Sequence, residues 1–312
     1  MTTTNPNQSI VILGCTGMLG HKLLQVISAS GRYQVHGTVR SMKNDKLREL
    51  SRLSNVTIVS DIMAENTAAI SDLVKKVKPV ALVNCIGVIK QLPEANQPIP
   101  SIRINSLFPH QLAEITKQNS SRLIHFSTDC VYSGTKGFYT ESDPTDPQDI
   151  YGKSKALGEV GGPGCFTIRS SIIGPEINSY LGLLEWFIAQ RGKAVKGYNK
   201  ALYTGFTTHA MSQIVLMLIE KFPDLSGVWN IASPTISKYD ILLLINEVLN
   251  LGITVEQDAK FAIDRSLDGS RFETATGFKP PPWRQMIEQL GQDEDIQQRF
   301  FLKADARTAE AR

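Results

Sequence analysis

SIVILGCTGMLGHKLL, residues 9–24, decides how this chain folds. Ile10–Leu13 is a short apolar run rich in β-branched residues, the composition of a buried strand. Gly14, Gly17 and Gly20 follow in a GxxGxxG pattern, and from Met18 onward the apolar spacing is helical. Glycines alone fit a plain turn with close helix packing. A strand before them and a helix after them point to a dinucleotide-binding βαβ unit. Gly14 permits the tight turn, Gly17 lets the backbone approach a pyrophosphate, and Gly20 lets the helix lie against the strand. The helix N-terminus then offers N–H groups and a partial positive charge to phosphate. Thr16, Met18 and Leu19 share this turn and are expected to line the cofactor.

Outward from this unit the same rhythm repeats. Strands are expected at Ile10–Leu13, Gln34–Val39, Val56–Val59, Val80–Cys85, Leu123–Phe126 and Cys165–Arg169. Amphipathic helices are expected near 18–29, 43–52, 65–77, 101–118 and 151–160. Such alternation predicts an α/β chain with a doubly wound parallel sheet covered on both faces. Ligands on these sheets bind at the carboxyl ends of the strands. After about residue 175 the rhythm loosens. Helical patterns at 180–191, 208–221, 237–250 and 284–291 alternate with short runs such as Gly227–Ile231 and Ile253–Gln257. The expected division is 1–175 for the cofactor, 176–291 for a smaller α+β substrate part that interleaves with it, and a polar tail at 292–312.

The second strand tells which dinucleotide. NAD sites of this kind carry an Asp or Glu about 20 residues past the glycines, for the ribose hydroxyls. Here QVHGTVRSMKND has no acid before Asp45 and ends its strand on Arg40, with Lys43 close behind. An Arg there pairs with a 2′-phosphate and stacks on adenine. The expectation is therefore NADPH rather than NADH. Asp61 and Ile62, past the third strand, are expected at the adenine, although a turn-capping Asp fits position 61 as well.

The 312 residues carry 33 Lys and Arg against 30 Asp and Glu, a net charge of +3. This gives no push toward nucleic acid or a membrane surface. No apolar run reaches the ~18 residues of a membrane span, and MTTTNPNQ lacks the order of a signal peptide. Cys15, Cys85, Cys130 and Cys165 have no CxxC spacing. They are expected as reduced thiols of a cytoplasmic protein, with no metal site.

Two further stretches carry chemistry. LIHFSTDCVYSG, 123–134, is a strand that runs out into Ser127, Thr128 and Asp129, at the end where a ligand belongs. YGKSK, 151–155, opens a helix behind a proline-bearing loop, with Asp149 as the expected N-cap. Tyr151 and Lys155 stand one helical turn apart on one face. An ammonium beside a phenol is expected to lower the phenol's pKa from ~10 toward neutrality. Such a Tyr exchanges a proton with a carbonyl, and a neighbouring hydroxyl holds the carbonyl oxygen.

Together GCTGMLG at 14–20, VNCIG at 83–87, STDCVYSG at 127–134, YGKSK at 151–155 and RSSIIGP at 169–175 resemble the extended short-chain dehydrogenase/reductase superfamily. The resemblance spans about 9–290 and is nearest to the branch containing dTDP-4-dehydrorhamnose reductases. It implies a Rossmann-type fold and an NADPH-dependent reductase acting on the keto group of a nucleotide-activated sugar, as in polysaccharide biosynthesis. By this resemblance Thr128 is the catalytic hydroxyl, Tyr151 the proton donor and Lys155 the ribose-holding partner. Asn84, Cys85 and Gly87 would line the cofactor, and Asn105 would help position the catalytic Lys. Arg169 would close a strand before the loop Ser170–Pro175 that passes the nicotinamide.

Sugar dehydratases of this superfamily follow the catalytic Thr with Asp and Glu. Elimination breaks bonds at adjacent carbons and needs that second acid/base couple. Here Cys130 takes the second place, so plain hydride transfer is expected. A sugar-nucleotide epimerase and a cofactor-binding regulatory subunit without turnover are the alternatives. The retained Tyr151 and Lys155 argue against the subunit, and Arg40 argues for an exchangeable cofactor. On the substrate side Lys90, in VIKQ, and Arg271, in SLDGSRF, are candidate contacts, the latter for a diphosphate. Both could equally be solvated charges. This region lacks the Arg-Pro dipeptide of rhamnose reductases, so the sugar stays open. A homodimer is a further expectation. Trp186, Trp229 and Trp283 are expected mostly in the core.

Overall fold

The computed structural model describes residues 8–42, 50–177 and 180–297. Lys43, most of the helix expected at 43–52, and the end of the polar tail lie outside them. Among the described residues the strands are β1 (Ser9–Leu13), β2 (Gln34–Thr38), β3 (Val56–Val59), β4 (Ala81–Asn84), β5 (Arg122–Phe126), β6 (Cys165–Arg169), β7 (Ile172–Ile173), β8 (Ala194–Tyr203), β9 (Phe206–Thr207), β10 (Gly227–Asn230), β11 (Ile236–Ser237) and β12 (Thr254–Asp264). The helices are α1 (Met18–Ala29), α2 (Thr67–Val77), α3 (Phe108–Gln118), α4 (Ile150–Leu157), α5 (Leu183–Ile188), α6 (Thr208–Lys221), α7 (Lys238–Leu249), α8 (Ser270–Thr276) and α9 (Trp283–Gly291). A short α-turn, Pro98–Ser101, and a π-helical stretch, Ile102–Leu107, lead into α3.

The main sheet has seven strands in the order β10-β6-β5-β4-β1-β2-β3, all parallel. Connections after β1 run one way and those after β3 return to the other side of β1. The crevice between β1 and β4 is thus the topological switch point, where such sheets bind ligands. Continuous apolar composition suits strands covered on both faces, and β4 and β6 are buried throughout. Ile10, Ile12 and Val83 face one core layer; Val11, Leu13 and Leu82 face the other.

β10, from the later half of the chain, completes this sheet beside β6, with Asn230 level with Arg169. β11, β8 and β12 form a separate small sheet with α7 laid on β8, while β9 pairs with β7 and α6 packs on α1. No helix among the described residues is long and apolar enough to cross a membrane.

Candidate active site

At the switch point, Gly14 adopts φ +76 and its N–H donates to Thr38 Oγ1 at 3.2 Å. A Cβ at Gly20 would lie 2.2 Å from the Gly14 carbonyl oxygen, so only glycine lets α1 start this close to the turn. Gly17 is the N-cap of α1 and supplies no side-chain cap. The first-turn N–H groups of α1 therefore face the mouth of the crevice with a phosphate-binding disposition. Cys15 is buried. Across the switch point, Cys85 N–H donates to the Leu13 carbonyl at 3.0 Å. Arg40 stands exposed just past β2 and makes no ion pair among the described residues. Asp61 is exposed, takes φ +63 and accepts from Ser60 Oγ at 2.6 Å, while Ile62 is buried with its N–H on the Val39 carbonyl.

The reactive groups gather at the ends of β5 and α4. Thr128 is buried, and its Oγ1 donates to Asp129 and accepts the Cys130 N–H, both at 3.1 Å. Asp149 caps α4 as expected, accepting the Gly152 N–H at 2.8 Å. A Cβ at Gly152 would come within 2.3 Å of the Cys130 carbonyl oxygen. This close approach sets the Tyr151 phenol near the Thr128 hydroxyl. Lys155 is buried and donates to the Phe126 carbonyl at 2.5 Å. A Cβ at Gly87 would lie 3.9 Å from its Nζ. Thr128, Tyr151, Lys155 and Gly87 thus gather at the carboxyl ends of β4 and β5.

The electrostatics differ from the expectation for Tyr151. Burial pushes its phenol up, Cys130, Asp129 and Asp149 push the same way, and only the nearby Thr128 hydroxyl opposes them. Lys155 directs its ammonium to a backbone carbonyl instead. Burial lowers Lys155 to about 8, with Glu159 and Cys85 holding it up. A phenol that keeps its proton suits a donor better than a base. Cys130 is pushed up to about 12, first by burial and then by Asp129, so its thiol offers no base at neutral pH.

Asn105 sits on the π-helical stretch and clamps three groups. Its Oδ1 accepts the Val88 N–H at 2.9 Å, and its Nδ2 donates to the Val88 carbonyl at 3.0 Å and to Ser154 Oγ at 3.2 Å. It reaches Lys155 through the neighbouring Ser154 rather than directly. Asn84 accepts the Ile86 N–H and bonds His125 Nδ1, shaping the 85–87 turn. One supporting network was invisible to motif reading. Glu159 takes a two-pronged bond from Arg169, at 2.8 and 2.6 Å, and a third from Ser127. Arg169 also donates to the Tyr132 hydroxyl at 2.6 Å.

A glycine turn, a hydroxyl-bearing strand end and a Tyr–Lys helix now meet at the switch point of one parallel sheet. Residues 8–172, over half the chain, match the family described as RmlD substrate binding domain.

The chain belongs to the RmlD substrate binding domain family.

RmlD-type proteins are extended short-chain dehydrogenase/reductases, and the fold here is theirs. The dTDP-4-dehydrorhamnose reductase of Aggregatibacter actinomycetemcomitans is 23% identical over 306 residues, 90% of this chain and 97% of that one. Methionine adenosyltransferase 2 subunit beta of Rattus norvegicus is 23% identical over 261 residues, 79% of this chain and 73% of that one. The crystal structure of dTDP-4-dehydrorhamnose reductase from Bacillus anthracis str. Ames in complex with NADP superposes with a TM-score of 0.71 at 17% identity. It covers 91% of this chain and 98% of that one.

The two substrate candidates fare differently within this RmlD-type scaffold. Lys90 reaches the start of α4, pairing with its cap Asp149 at 2.7 Å. Arg271 does not join the cluster. Its guanidinium lies 3.7 Å from the Trp229 ring centre, donates to the Val228 carbonyl and pairs with Glu141, all at the β10 edge. An aromatic face and a carbonyl there hold the cation in the protein's own packing. Trp229 and Trp283 are buried and Trp186 is exposed. Two cations near Cys130, Lys238 and Arg265, carry no recognisable sequence motif, although the helical pattern at 237–250 covers the first of them.

Proposed function

We propose that this protein reduces the keto group of a nucleotide-activated sugar with NADPH, as a reductase of the dTDP-4-dehydrorhamnose reductase kind. The observation that carries the reading is the gathering of the Thr128 hydroxyl, the Tyr151 phenol and the buried Lys155 at the ends of β5 and α4. The donor set fits a nicotinamide dinucleotide. Gly14, Thr16, Gly17, Met18, Leu19 and Gly20 would hold the pyrophosphate, since a glycine-only approach and an uncapped helix start leave room and N–H groups there. Arg40 would take the 2′-phosphate, which supports NADPH over NADH. Asp61 and Ile62 would border the adenine, and Cys85, Gly87 and Asn105 the nicotinamide side.

When bound, the reduced nicotinamide supplies a hydride to the carbonyl carbon. Thr128 holds the carbonyl oxygen by its hydroxyl. Tyr151 delivers its proton to that oxygen as negative charge develops. Lys155 stabilises the resulting phenolate, an interaction strongest where charge forms. Dehydration is not supported, because the Cys130 thiol at about 12 leaves no second base. The rat relative, named as a subunit, and the bacterial relative, named as a reductase, are equally identical to this chain. The intact Thr, Tyr and Lys are what support turnover.

The test is NADPH oxidation with a panel of nucleotide 4-keto-6-deoxy sugars, using NADH and Tyr151→Phe as controls. Turnover with NADPH that the variant lacks is expected. Tight NADPH binding with no turnover on any keto sugar would reject the reading.

The same proposal includes a cofactor part at 1–175 and a substrate part at 176–291, a cytoplasmic location and a homodimer. Four free cysteines support the location. Exposed Ile99, Ile102 and Leu157, on helices flanking the site, support self-association. Sedimentation equilibrium tests the dimer.

A further inference from the structure

The segment that follows α9 folds back onto α1, the helix that begins at the glycine turn. Residues 294–297 form one helical turn, and the fully buried Ile296 anchors it in the main core. Asp293 caps this turn, its Oδ1 accepting the Asp295 N–H at 3.0 Å. Both carboxylates meet one face of α1. Lys22 Nζ lies 2.6 Å from Asp293 and 3.1 Å from Asp295. Gln25 Nε2 donates to Asp295 at 3.3 Å. All three charged side chains are buried, with no more than 6% of any of them exposed.

His21, next to Lys22 and fully buried, carries this contact to the glycine turn. Its Nδ1 lies 2.8 Å from the Gly17 carbonyl oxygen. That oxygen can only accept, so Nδ1 bears a proton and donates it. The His21 backbone N–H donates to the same oxygen at 3.2 Å. On the other side of the ring, Nε2 makes no hydrogen bond and faces Asp295 Oδ2 at 3.5 Å. The carboxylate would repel a lone pair there and attracts an imidazolium. Among the described residues the other titratable groups at this spot are Lys22, Asp293 and, from α6, His209. Burial, and then Lys22, hold His209 below its ordinary pKa.

We infer that Asp295, acting through His21, is a positioning residue for the pyrophosphate turn. The Gly17 carbonyl and the Met18 N–H belong to one trans peptide unit, so they point in opposite directions. Two donors from His21 hold the carbonyl along the helix. The Met18 N–H is thereby aimed the other way, out of the helix start, where an uncapped first turn favours an anion. Gly17 has no side chain with which to fix this peptide, and His21 fixes it from one turn further on. Asp295 in turn fixes the imidazole, from 273 residues beyond Lys22 in the chain. The ligand group affected is the pyrophosphate of a dinucleotide, so the inference rests on reading this turn as a cofactor site.

A double-mutant cycle on the full chain, read by NADPH fluorescence titration, tests it. His21→Asn keeps an amide N–H in the place of the Nδ1–H and leaves no ring to face Asp295. Asp295→Asn in the wild-type background should weaken NADPH about threefold to tenfold, the scale of coupling between neighbouring groups. In the His21→Asn background the same change should alter affinity by less than about twofold. Adenosine 2′-monophosphate, which has no pyrophosphate, should displace NADPH with the same inhibition constant in all four proteins. An equal loss of NADPH affinity in both backgrounds would overturn the inference, because the effect would then run through Lys22 and the fold alone. So would no loss in either background, or a matching loss for adenosine 2′-monophosphate. Failure of the cofactor reading looks different: the wild type itself would bind no NADPH, and the inference would fall with it.

Discussion

The two halves of this molecule make their sites from different materials. The cofactor side is built from backbone. Gly14, Gly17 and Gly20 shape a turn, α1 presents its N-terminus, and buried parallel strands hold both in place. The proposed substrate contacts rely instead on long side chains, such as Lys90, which reaches across to Asp149. Backbone sites tolerate little variation and look alike across many proteins. Side-chain sites change with single substitutions, and that is where a choice of sugar would be made.

The largest effect should come where the two sides meet. Tyr151→Phe removes the proton donor and should lower kcat by about 10²- to 10⁴-fold while NADP affinity holds, measured by steady-state kinetics and titration. A comparable loss of cofactor binding would mean the residue belongs to the scaffold instead. Next comes the support beneath the site. Glu159→Gln strips the buried Arg169 of its carboxylate. It should cost about 3–5 kcal/mol in urea unfolding, since a lone buried cation is left behind.

A third break uses pH. Lys155 is charged below its pKa of about 8 and neutral above it. With Tyr151 shifted upward, the phenol keeps its proton across this range. The rate of reduction should therefore be level below about pH 8 and fall as pH rises through it, approaching tenfold per unit. A rate that climbs through pH 8 would remove the ammonium from the mechanism. Smaller still, Arg40→Ala should cut the preference for NADPH over NADH by about tenfold in kcat/KM, one charge-assisted bond at an open site. Arg271→Ala should leave KM within about twofold and cost about 1 kcal/mol of stability, through loss of its contact with Trp229.

The same contrast explains what was legible in the sequence. Helices at 18–29 and 208–221 and strands at 56–59 and 165–169 fall where periodicity puts them, because each has a clean apolar pattern. The N-cap role of Asp149 was readable from a local rule. β8 was not, since AVKGYNKALY interrupts its apolar positions with Gly197, Asn199 and two lysines and leaves four of its ten residues exposed. β12 runs well past its expected end, because Asp258 and then, beyond a break in register, Ala262, Ile263 and Asp264 pair with β8, although much of the segment is exposed. Thr128, Tyr151 and Lys155 announce themselves by order and spacing. Lys238 and Arg265 do not, because only the folded chain brings them beside Cys130. Arg271 looked like a ligand contact because a sequence does not reveal that Trp229 will lie under it.

The late arrival of β10 has a consequence for synthesis. β6 exposes an unpaired edge until residues 227–230 leave the ribosome and dock against it. At about 5–20 residues per second, the interval between the two strands leaves that edge open for several seconds. A nascent chain halted in this window would present a sticky, parallel-ready strand to its neighbours. Chaperone demand should peak there, and a stop codon placed between β6 and β10 should send the product to inclusion bodies.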